Sequence, residues 1–186
     1  MTFAPSYFDA LYARDADPWR FATSEYEKAK YDAMLDALPA RHFTSGFEAG
    51  CSIGVLTRRL AQRCTALLAA DFADAALAQA RLRCADLPNV QLRRMHIPQE
   101  WPEQTFDLIV LSEILYYLTP AEITATARRA CGSLSRRGIV LLVNYTLPTD
   151  SPVSGDEAAE AFIRATQLLP TLQQRQAQYR LDLLQF

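Results

Sequence analysis

The chain has 186 residues, of which 50% are hydrophobic, and its formal net charge is −2. This length and composition predict one folded domain with a full core, and they exclude a disordered chain. The small net charge gives no general attraction to nucleic acid or to an anionic membrane, so we expect neither as a partner.

The four cysteines and two histidines do not indicate a metal centre. No two cysteines form the Cys-x-x-Cys pair that is common at zinc sites. No secretory leader is recognisable, and no apolar run is as long as the roughly 18 residues of a membrane span. We therefore expect a cytoplasmic protein that holds no metal.

The first 23 residues are rich in aromatic side chains, and two compatible interpretations remain open. This irregular segment could pack on a sheet, or it could form a lid over a ligand. Its aromatic residues are Phe3, Tyr7, Phe8, Tyr12, Trp19 and Phe21. Ser24 and Glu27 then have the spacing of a capping box, which predicts a helix that Pro39 ends. On this helix Tyr26 and Lys30 lie one turn apart and could face one cavity.

The rest of the chain alternates between predicted strands and helices, as in an α/β fold. The order predicts a doubly wound, mostly parallel sheet of six or seven strands whose last strand is antiparallel. The predicted strands are residues 46–50, 66–71, 90–95 (an edge strand), 106–111, 139–145 and 179–184. The last of these lies close to residue 186, so a late edge strand of the usual seven could be missing.

Several local patterns complete this outline. Cys64, Cys84 and Cys131 fall on apolar stripes of predicted helices, so we expect buried thiols. Thr119 and Glu122 form a second capping-box pattern. Other predictions are a turn at residues 136–138, a flap at residues 146–155 and a helix at residues 156–168.

A glycine turn after the first strand is the strongest functional signal. Gly50 and Gly54 allow the backbone to approach a ligand closely, and Asp71 ends the next strand. A strand, a glycine turn, a helix and a later acid are typical of nucleotide sites in open α/β sheets. Ser52 stands in place of the middle glycine of a dinucleotide site, and Glu48 would repel a diphosphate. The pattern favours a cationic cofactor such as S-adenosylmethionine over a nicotinamide dinucleotide; a turn without a ligand is the alternative.

Two groups of residues carry a family resemblance. They are Asp17-Pro18-Trp19-Arg20-Phe21, Tyr26-Glu27 and Lys30-Tyr31 near the N-terminus, and Glu48–Gly54, Leu68–Asp71 and Phe106–Leu118 in the predicted sheet. Together they resemble the nodulation protein S family of class I S-adenosylmethionine-dependent methyltransferases. The resemblance implies a Rossmann-like fold with an N-terminal helical and aromatic lid. It also implies a small-molecule acceptor, by analogy with N-methylation of a chitooligosaccharide amine in Nod-factor synthesis.

The resemblance assigns cofactor contacts by position. Gly50, Cys51 and Gly54 would wrap the methionine part and the ribose, and Glu48 would orient this turn. Asp71 would accept hydrogen bonds from the ribose hydroxyls. The remaining assignments are Phe72 on the adenine face, His96 and Ile97 at the adenine edge, Ser112 near the sulfonium, and Trp19, Arg20 and Tyr26 closing the pocket.

The resemblance also suggests how an acceptor amine would be deprotonated. Glu113 is the first choice as base, with Tyr117, Tyr116 and Asp17 as further candidates. Adjacent tyrosines point in different directions, so at most one of them would touch the acceptor. Relatives carry a His after the segment that corresponds to Gly155-Asp156-Glu157, and this chain lacks it. If that His touches the acceptor in the relatives, the acceptor of this chain would differ.

The implied domain is the whole chain. Residues 1–38 would form the lid and first helix, residues 39–145 the cofactor-binding core, and residues 146–186 the flap, a helix and the last strand. An amino-sugar N-methyltransferase is the leading hypothesis. Methylation of another metabolite at oxygen or nitrogen, and a protein that only binds the cofactor or its product S-adenosylhomocysteine, are the alternatives.

Overall fold

The structure is a computed structural model that describes residues 5–186. Phe3 and the other first residues of the predicted lid lie outside the described part. The chain divides into two compact units, one that extends to Met95 and one from His96 to Phe186. The prediction that residues 1–186 form one methyltransferase domain stays a prediction.

The N-terminal unit is built on three parallel strands. β1 pairs with β2, and β2 pairs with β3, all in parallel. The second half of each of β1 and β2 is buried, at residues 46–49 and 67–70. Residues 67–70 are all apolar, as expected for a strand that is covered on both faces. The elements are α1 (Pro5–Arg14), α2 (Glu25–Ala37), β1 (Phe43–Ala49), α3 (Val55–Leu60), β2 (Cys64–Asp71), α4 (Asp74–Arg83) and β3 (Val90–Arg94).

The C-terminal unit combines a parallel pair of strands with an antiparallel hairpin. β4 and β5 are parallel, and nearly all of β4 and residues 138–144 of β5 are buried. β7 is antiparallel to both β5 and β6. The elements are β4 (Phe106–Ser112), α5 (Pro120–Ser133), β5 (Leu134–Tyr145), α6 (Gly155–Ala165), β6 (Leu169–Arg175) and β7 (Tyr179–Gln185). No helix in residues 5–186 is both long and apolar enough to cross a membrane.

The strands form a seven-stranded sheet of order β3-β2-β1-β4-β5-β7-β6. This order confirms the predicted mostly parallel, doubly wound sheet with an antiparallel last strand. It also confirms that residues 90–95 contain an edge strand.

Two expectations in the N-terminal unit need correction. Residues 5–14 form helix α1, which agrees with the predicted helical and aromatic lid but not with an irregular segment. Cys64 begins β2 and does not lie on the preceding helix, because α3 ends at Leu60 and a short 3-10 turn follows. Its thiol is nevertheless buried, as are those of Cys51 and Cys84.

Two predictions in the C-terminal unit also need correction. Residues 136–138 lie inside the long strand β5, where a turn was expected, and the register with β4 shifts between Phe106 and Leu108. β6 was not predicted, because only Leu172 among its residues is even partly buried. With β6 present, no late edge strand is missing.

Helix caps follow the sequence with one exception. Thr119 and Glu122 form the predicted capping box of α5, and Ser154 and Glu157 form another at α6 that the sequence analysis missed. Ser24 accepts a hydrogen bond from the backbone N–H of Glu27, but its own N–H donates to the carbonyl of Arg20. The predicted box at α2 is therefore only half formed.

Candidate cofactor site and active site

The glycine turn after β1 contains three residues with left-handed backbone. They are Gly50 at φ 80°, Ser52 at φ 48° and Gly54 at φ 79°. A Cβ at Gly54 would lie 3.0 Å from both the Cα and the Cβ of Ala80, so glycine allows α4 to pack against the turn. Ser52 has a Cβ and pays a conformational cost that surrounding contacts must offset.

Asp71 connects the glycine turn to the residues that precede α4. Its Oδ2 accepts a hydrogen bond from the backbone N–H of Ser52 at 2.9 Å, and its Oδ1 accepts one from Ala73 at 3.0 Å. Burial raises the pKa of Asp71, and these backbone donors oppose the rise. A carboxylate oxygen can accept more than one hydrogen bond, so Asp71 keeps capacity for a ligand hydroxyl.

Glu48 is a buried carboxyl group two residues before the turn. It is 1% exposed, and within residues 5–186 its Oε2 has no hydrogen-bond partner. Burial raises the pKa of Glu48 to about 7, the Thr57 hydroxyl opposes this, and the nearby Asp71 charge adds to it. A buried acid with an uncommitted oxygen would be stabilised by a cationic or hydrogen-bond-donating ligand.

The N-terminal aromatic residues pack on the turn. The Tyr12 hydroxyl on α1 lies 2.5 Å from Ser52 Oγ, and the Tyr12 ring meets Trp19 edge to face. Phe8 packs edge to face on Phe72, with 5.1 Å between ring centroids. The segment therefore contacts the turn and the residue after Asp71. Tyr12 and Ser52 were not among the predicted site residues.

Asp17 explains the Asp-Pro-Trp part of the motif. Its carboxylate accepts hydrogen bonds from the backbone N–H groups of Phe21 at 2.8 Å and Ala22 at 2.9 Å. These bonds hold the chain in a turn that stacks Trp19 on Phe21. Asp17 thus has a structural task, which counts against its use as a base.

The other predicted residues of this unit occupy varied positions. Arg20 is exposed with a left-handed backbone, and Cys51 is buried against Ala69 and Leu77. Tyr26 is half-buried, with the Lys30 ammonium 5.2 Å from its ring centroid. That ammonium also forms a buried ion pair with Glu27 at 3.0 Å, which accounts for the Tyr-Glu and Lys parts of the motif.

In the C-terminal unit, Glu113 follows the end of β4 with φ at 60°. Its backbone N–H donates to the carbonyl of Val143 at 2.8 Å. Its Oε2 accepts hydrogen bonds from the Tyr116 hydroxyl at 2.6 Å and from the backbone N–H of Tyr145 at 3.1 Å. The carboxylate is thus held in one orientation by two donors.

The Tyr116 hydroxyl donates a hydrogen bond to the Glu113 carboxylate, and the role of Tyr117 as the tyrosine that touches the acceptor stays a prediction. Burial raises the pKa of the Tyr116 hydroxyl, and the neighbouring Glu113 charge adds to the effect. The Tyr117 ring lies 4.6 Å from the Tyr116 ring, between centroids, at a tilted angle. The three-residue spacing of Glu113 and Tyr116 is the sequence signal that could have indicated their contact.

Ser112, His96 and Ile97 are the other predicted site residues of this unit. Ser112 is buried as the last residue of β4. His96 is exposed, and its backbone N–H donates to the Glu100 carboxylate. Ile97 is half-buried and precedes Pro98 through a cis peptide bond.

Comparison with known proteins places this geometry in a family. The model of nodulation protein S (NodS) matches residues 9–143, well over half of the chain. The chain belongs to the NodS family. The resemblance drawn from the sequence is therefore confirmed.

Two rhizobial NodS proteins illustrate the extent of the similarity. Nodulation protein S of Sinorhizobium fredii is 33% identical over 112 residues, which are 60% of this chain and 52% of that protein. Its counterpart in Bradyrhizobium diazoefficiens is 36% identical over 104 residues, 55% of this chain and 49% of that protein. This chain thus spans about half the length of these NodS relatives.

A solved NodS structure confirms the fold. The N-methyltransferase NodS from Bradyrhizobium japonicum WM9, in complex with S-adenosyl-L-homocysteine, aligns with a TM-score of 0.85. The alignment covers 96% of both chains at 22% sequence identity. This chain therefore has the Rossmann-like methyltransferase fold.

Proposed function

We propose that this NodS-family chain is an S-adenosylmethionine-dependent methyltransferase that acts on a small molecule. The observation that carries the proposal is the glycine turn held by Asp71, together with the carboxyl oxygen of Glu48 that has no hydrogen-bond partner within residues 5–186. Asp71 would accept the ribose hydroxyls, and Glu48 would favour the positive charge of the cofactor. The NodS relatives support the same assignment.

The other cofactor contacts are proposed from family position. Gly50, Cys51 and Gly54 would line the methionine part and the ribose, and Phe72 would lie on the adenine. His96 and Ile97 would hold the adenine edge and Ser112 the sulfonium side, with Trp19, Arg20 and Tyr26 over the cofactor. The packing of Phe8 on Phe72 supports a covering role for the N-terminal segment.

When bound, the cofactor supplies a methyl group on a positively charged sulfur, which a nucleophile attacks in line. An amine acceptor must be neutral at the moment of attack, and the nitrogen loses a proton when the new bond forms. We propose Glu113 as the group that takes this proton. The two donors on its Oε2 fix its orientation, while Tyr117 would contact the acceptor.

The finer proposal is N-methylation of an amino sugar or related saccharide in the cytoplasm. It is supported by the match to the NodS family, one member of which is described as an N-methyltransferase. The aromatic residues of the N-terminal segment suit a sugar, because flat rings pack well on sugar faces.

The test is calorimetric titration with S-adenosylhomocysteine of the wild type and of two variants. We expect micromolar binding by the wild type, on the order of −8 kcal/mol, and binding roughly 100-fold weaker in Asp71→Ala, since two hydrogen bonds to a carboxylate are lost. Asp74→Ala is the matched control, because Asp74 is an exposed acid three residues further on that pairs only loosely with Arg94, at 3.4 Å. If the wild type bound NADH and not S-adenosylhomocysteine, the proposal would fail.

A further inference from the structure

Asn144, near the end of β5, is a buried polar side chain in an apolar strand. Residues 139–143 of β5 are all apolar, and Asn144 itself is fully buried. Within residues 5–186, neither Oδ1 nor Nδ2 of Asn144 has a hydrogen-bond partner. Leaving a buried polar group unsatisfied costs about 1–3 kcal/mol, so this residue destabilises the fold unless a ligand completes its hydrogen bonds.

The position of Asn144 links it to the proposed base. The preceding residue, Val143, accepts a hydrogen bond from the backbone N–H of Glu113, and the following residue, Tyr145, donates one to the Glu113 carboxylate. Asn144 therefore lies beside Glu113 at the carboxyl ends of β4 and β5. Ligands of open α/β sheets bind at this end of the strands.

The neighbours of Asn144 do not satisfy it. Arg180 is its partner across the β5–β7 pair, but the Arg180 guanidinium is committed to Asp182 and Glu160. On the other side, Gly155 at the start of α6 approaches so closely that a Cβ there would lie 3.2 Å from the Asn144 Cβ. Residues 146–154, which connect Tyr145 to α6, therefore begin and end next to Asn144.

We propose that Asn144 binds the methyl acceptor. Its carboxamide can donate to and accept from one ligand group, which matches a hydroxyl, and the neighbouring Glu113 carboxylate suits an amine on the same molecule. The acceptor class is a polyhydroxylated amine, which enters when residues 146–154 move away from Asn144. This inference rests on the proposed function and adds a recognition residue to it.

The test compares Asn144→Leu with Asn89→Leu. Asn89 is a matched control because its amide donates to the carbonyls of Ala61 and Cys64 at 2.8 and 2.9 Å, so it has a structural task. Each variant is titrated with S-adenosylhomocysteine, then with D-glucosamine at saturating S-adenosylhomocysteine, and its thermal midpoint is measured. Glucosamine binding to every protein is followed by NMR signals of the ligand. In the wild type the side-chain amide of Asn144 is an additional reporter.

We expect Asn144→Leu to keep S-adenosylhomocysteine binding within twofold, to melt no lower than the wild type, and to bind glucosamine at least tenfold more weakly. Asn89→Leu should melt lower and bind glucosamine normally. Two results for Asn144→Leu would overturn the role of Asn144 without touching the proposed function: unchanged glucosamine binding or a lowered thermal midpoint. A wild type that binds S-adenosylhomocysteine but not glucosamine would do the same. A wild type that does not bind S-adenosylhomocysteine would reject the proposed function, and the inference with it.

Discussion

Glu48 shows how one buried carboxyl group can make stability depend on pH. Its pKa of about 7 in the folded chain lies above the ordinary value of 4.5, so between these values the folded state holds a proton that the unfolded state has released. The free energy of unfolding therefore falls as the pH rises through this window. The raised pKa of Asp71 acts in the same direction.

We predict that the free energy of unfolding decreases between pH 5 and pH 7.5. In Glu48→Gln this decrease should be smaller, by an amount on the order of 2 kcal/mol. Urea unfolding at the two pH values measures both quantities. Glu103→Gln, at an exposed loop residue, controls for the loss of one acidic group. An equal pH dependence in Glu48→Gln and the wild type would show that Glu48 is not protonated in the fold.

The proposed role of Glu113 as the base can be tested by substitution. Glu113→Gln keeps the size of the side chain but cannot accept the proton, so we expect kcat to fall about 10²- to 10⁴-fold with S-adenosylhomocysteine affinity unchanged. Tyr116→Phe removes one of the donors that stabilise the carboxylate. We therefore expect kcat to fall in Tyr116→Phe with S-adenosylhomocysteine affinity unchanged, and an unchanged kcat would show that the Tyr116 hydroxyl does not orient the base.

At the scale of elements, α1 and the glycine turn are joined by one hydrogen bond. Tyr12 on α1 bonds to Ser52, and the Ser52 backbone in turn bonds to Asp71. We predict a coupling energy of about 0.5–1.5 kcal/mol between Tyr12→Phe and Ser52→Ala in a double-mutant cycle on S-adenosylhomocysteine affinity. Tyr7→Phe, on the same helix at a more exposed residue, is the control. Additive effects would show that α1 does not support the turn.

The packing of the glycine turn can be tested by comparing an alanine substitution in the turn with one at an exposed glycine of a helix. Gly54→Ala places a Cβ in a left-handed residue and 3.0 Å from Ala80, so we expect it to lower the free energy of unfolding by about 2 kcal/mol or more. Gly132→Ala lies in α5, where a Cβ would meet nothing within 4 Å. It should raise stability by up to about 1 kcal/mol. Chemical unfolding of both variants measures the contrast.

At the scale of the whole molecule, the buried strands could be predicted because apolar runs such as residues 106–111 are too short for a typical helix and are bounded by polar residues. β6 could not be predicted, since a strand at the exposed edge buries too little to leave an apolar pattern. The predicted helical and aromatic lid had no bounds for α1, although Phe8 and Tyr12, which are both buried, stand four residues apart as on one face of a helix.

Part of the candidate site could also be predicted from the sequence. Gly50, Gly54 and Asp71 are recognisable because backbone geometry restricts what can stand there, and the left-handed backbone at both glycines agrees with this. The contact of Tyr12 with Ser52 joins residues 40 positions apart, so no local pattern indicates it, whereas the three-residue spacing of Tyr116 and Glu113 could have indicated theirs. Asn144 was missed because only the structure reveals that nothing in the described chain satisfies it.

The edge strands β3 and β6 have a consequence for association between molecules. β3 contains Gln91, Arg93 and Arg94, and β6 contains Pro170 and Arg175, with a register shift after the proline. Charged side chains, proline and irregular pairing are the features that keep sheet edges from templating further strands. The chain should therefore resist edge-to-edge aggregation at high concentration, and any self-association should involve helix faces instead of an extended sheet.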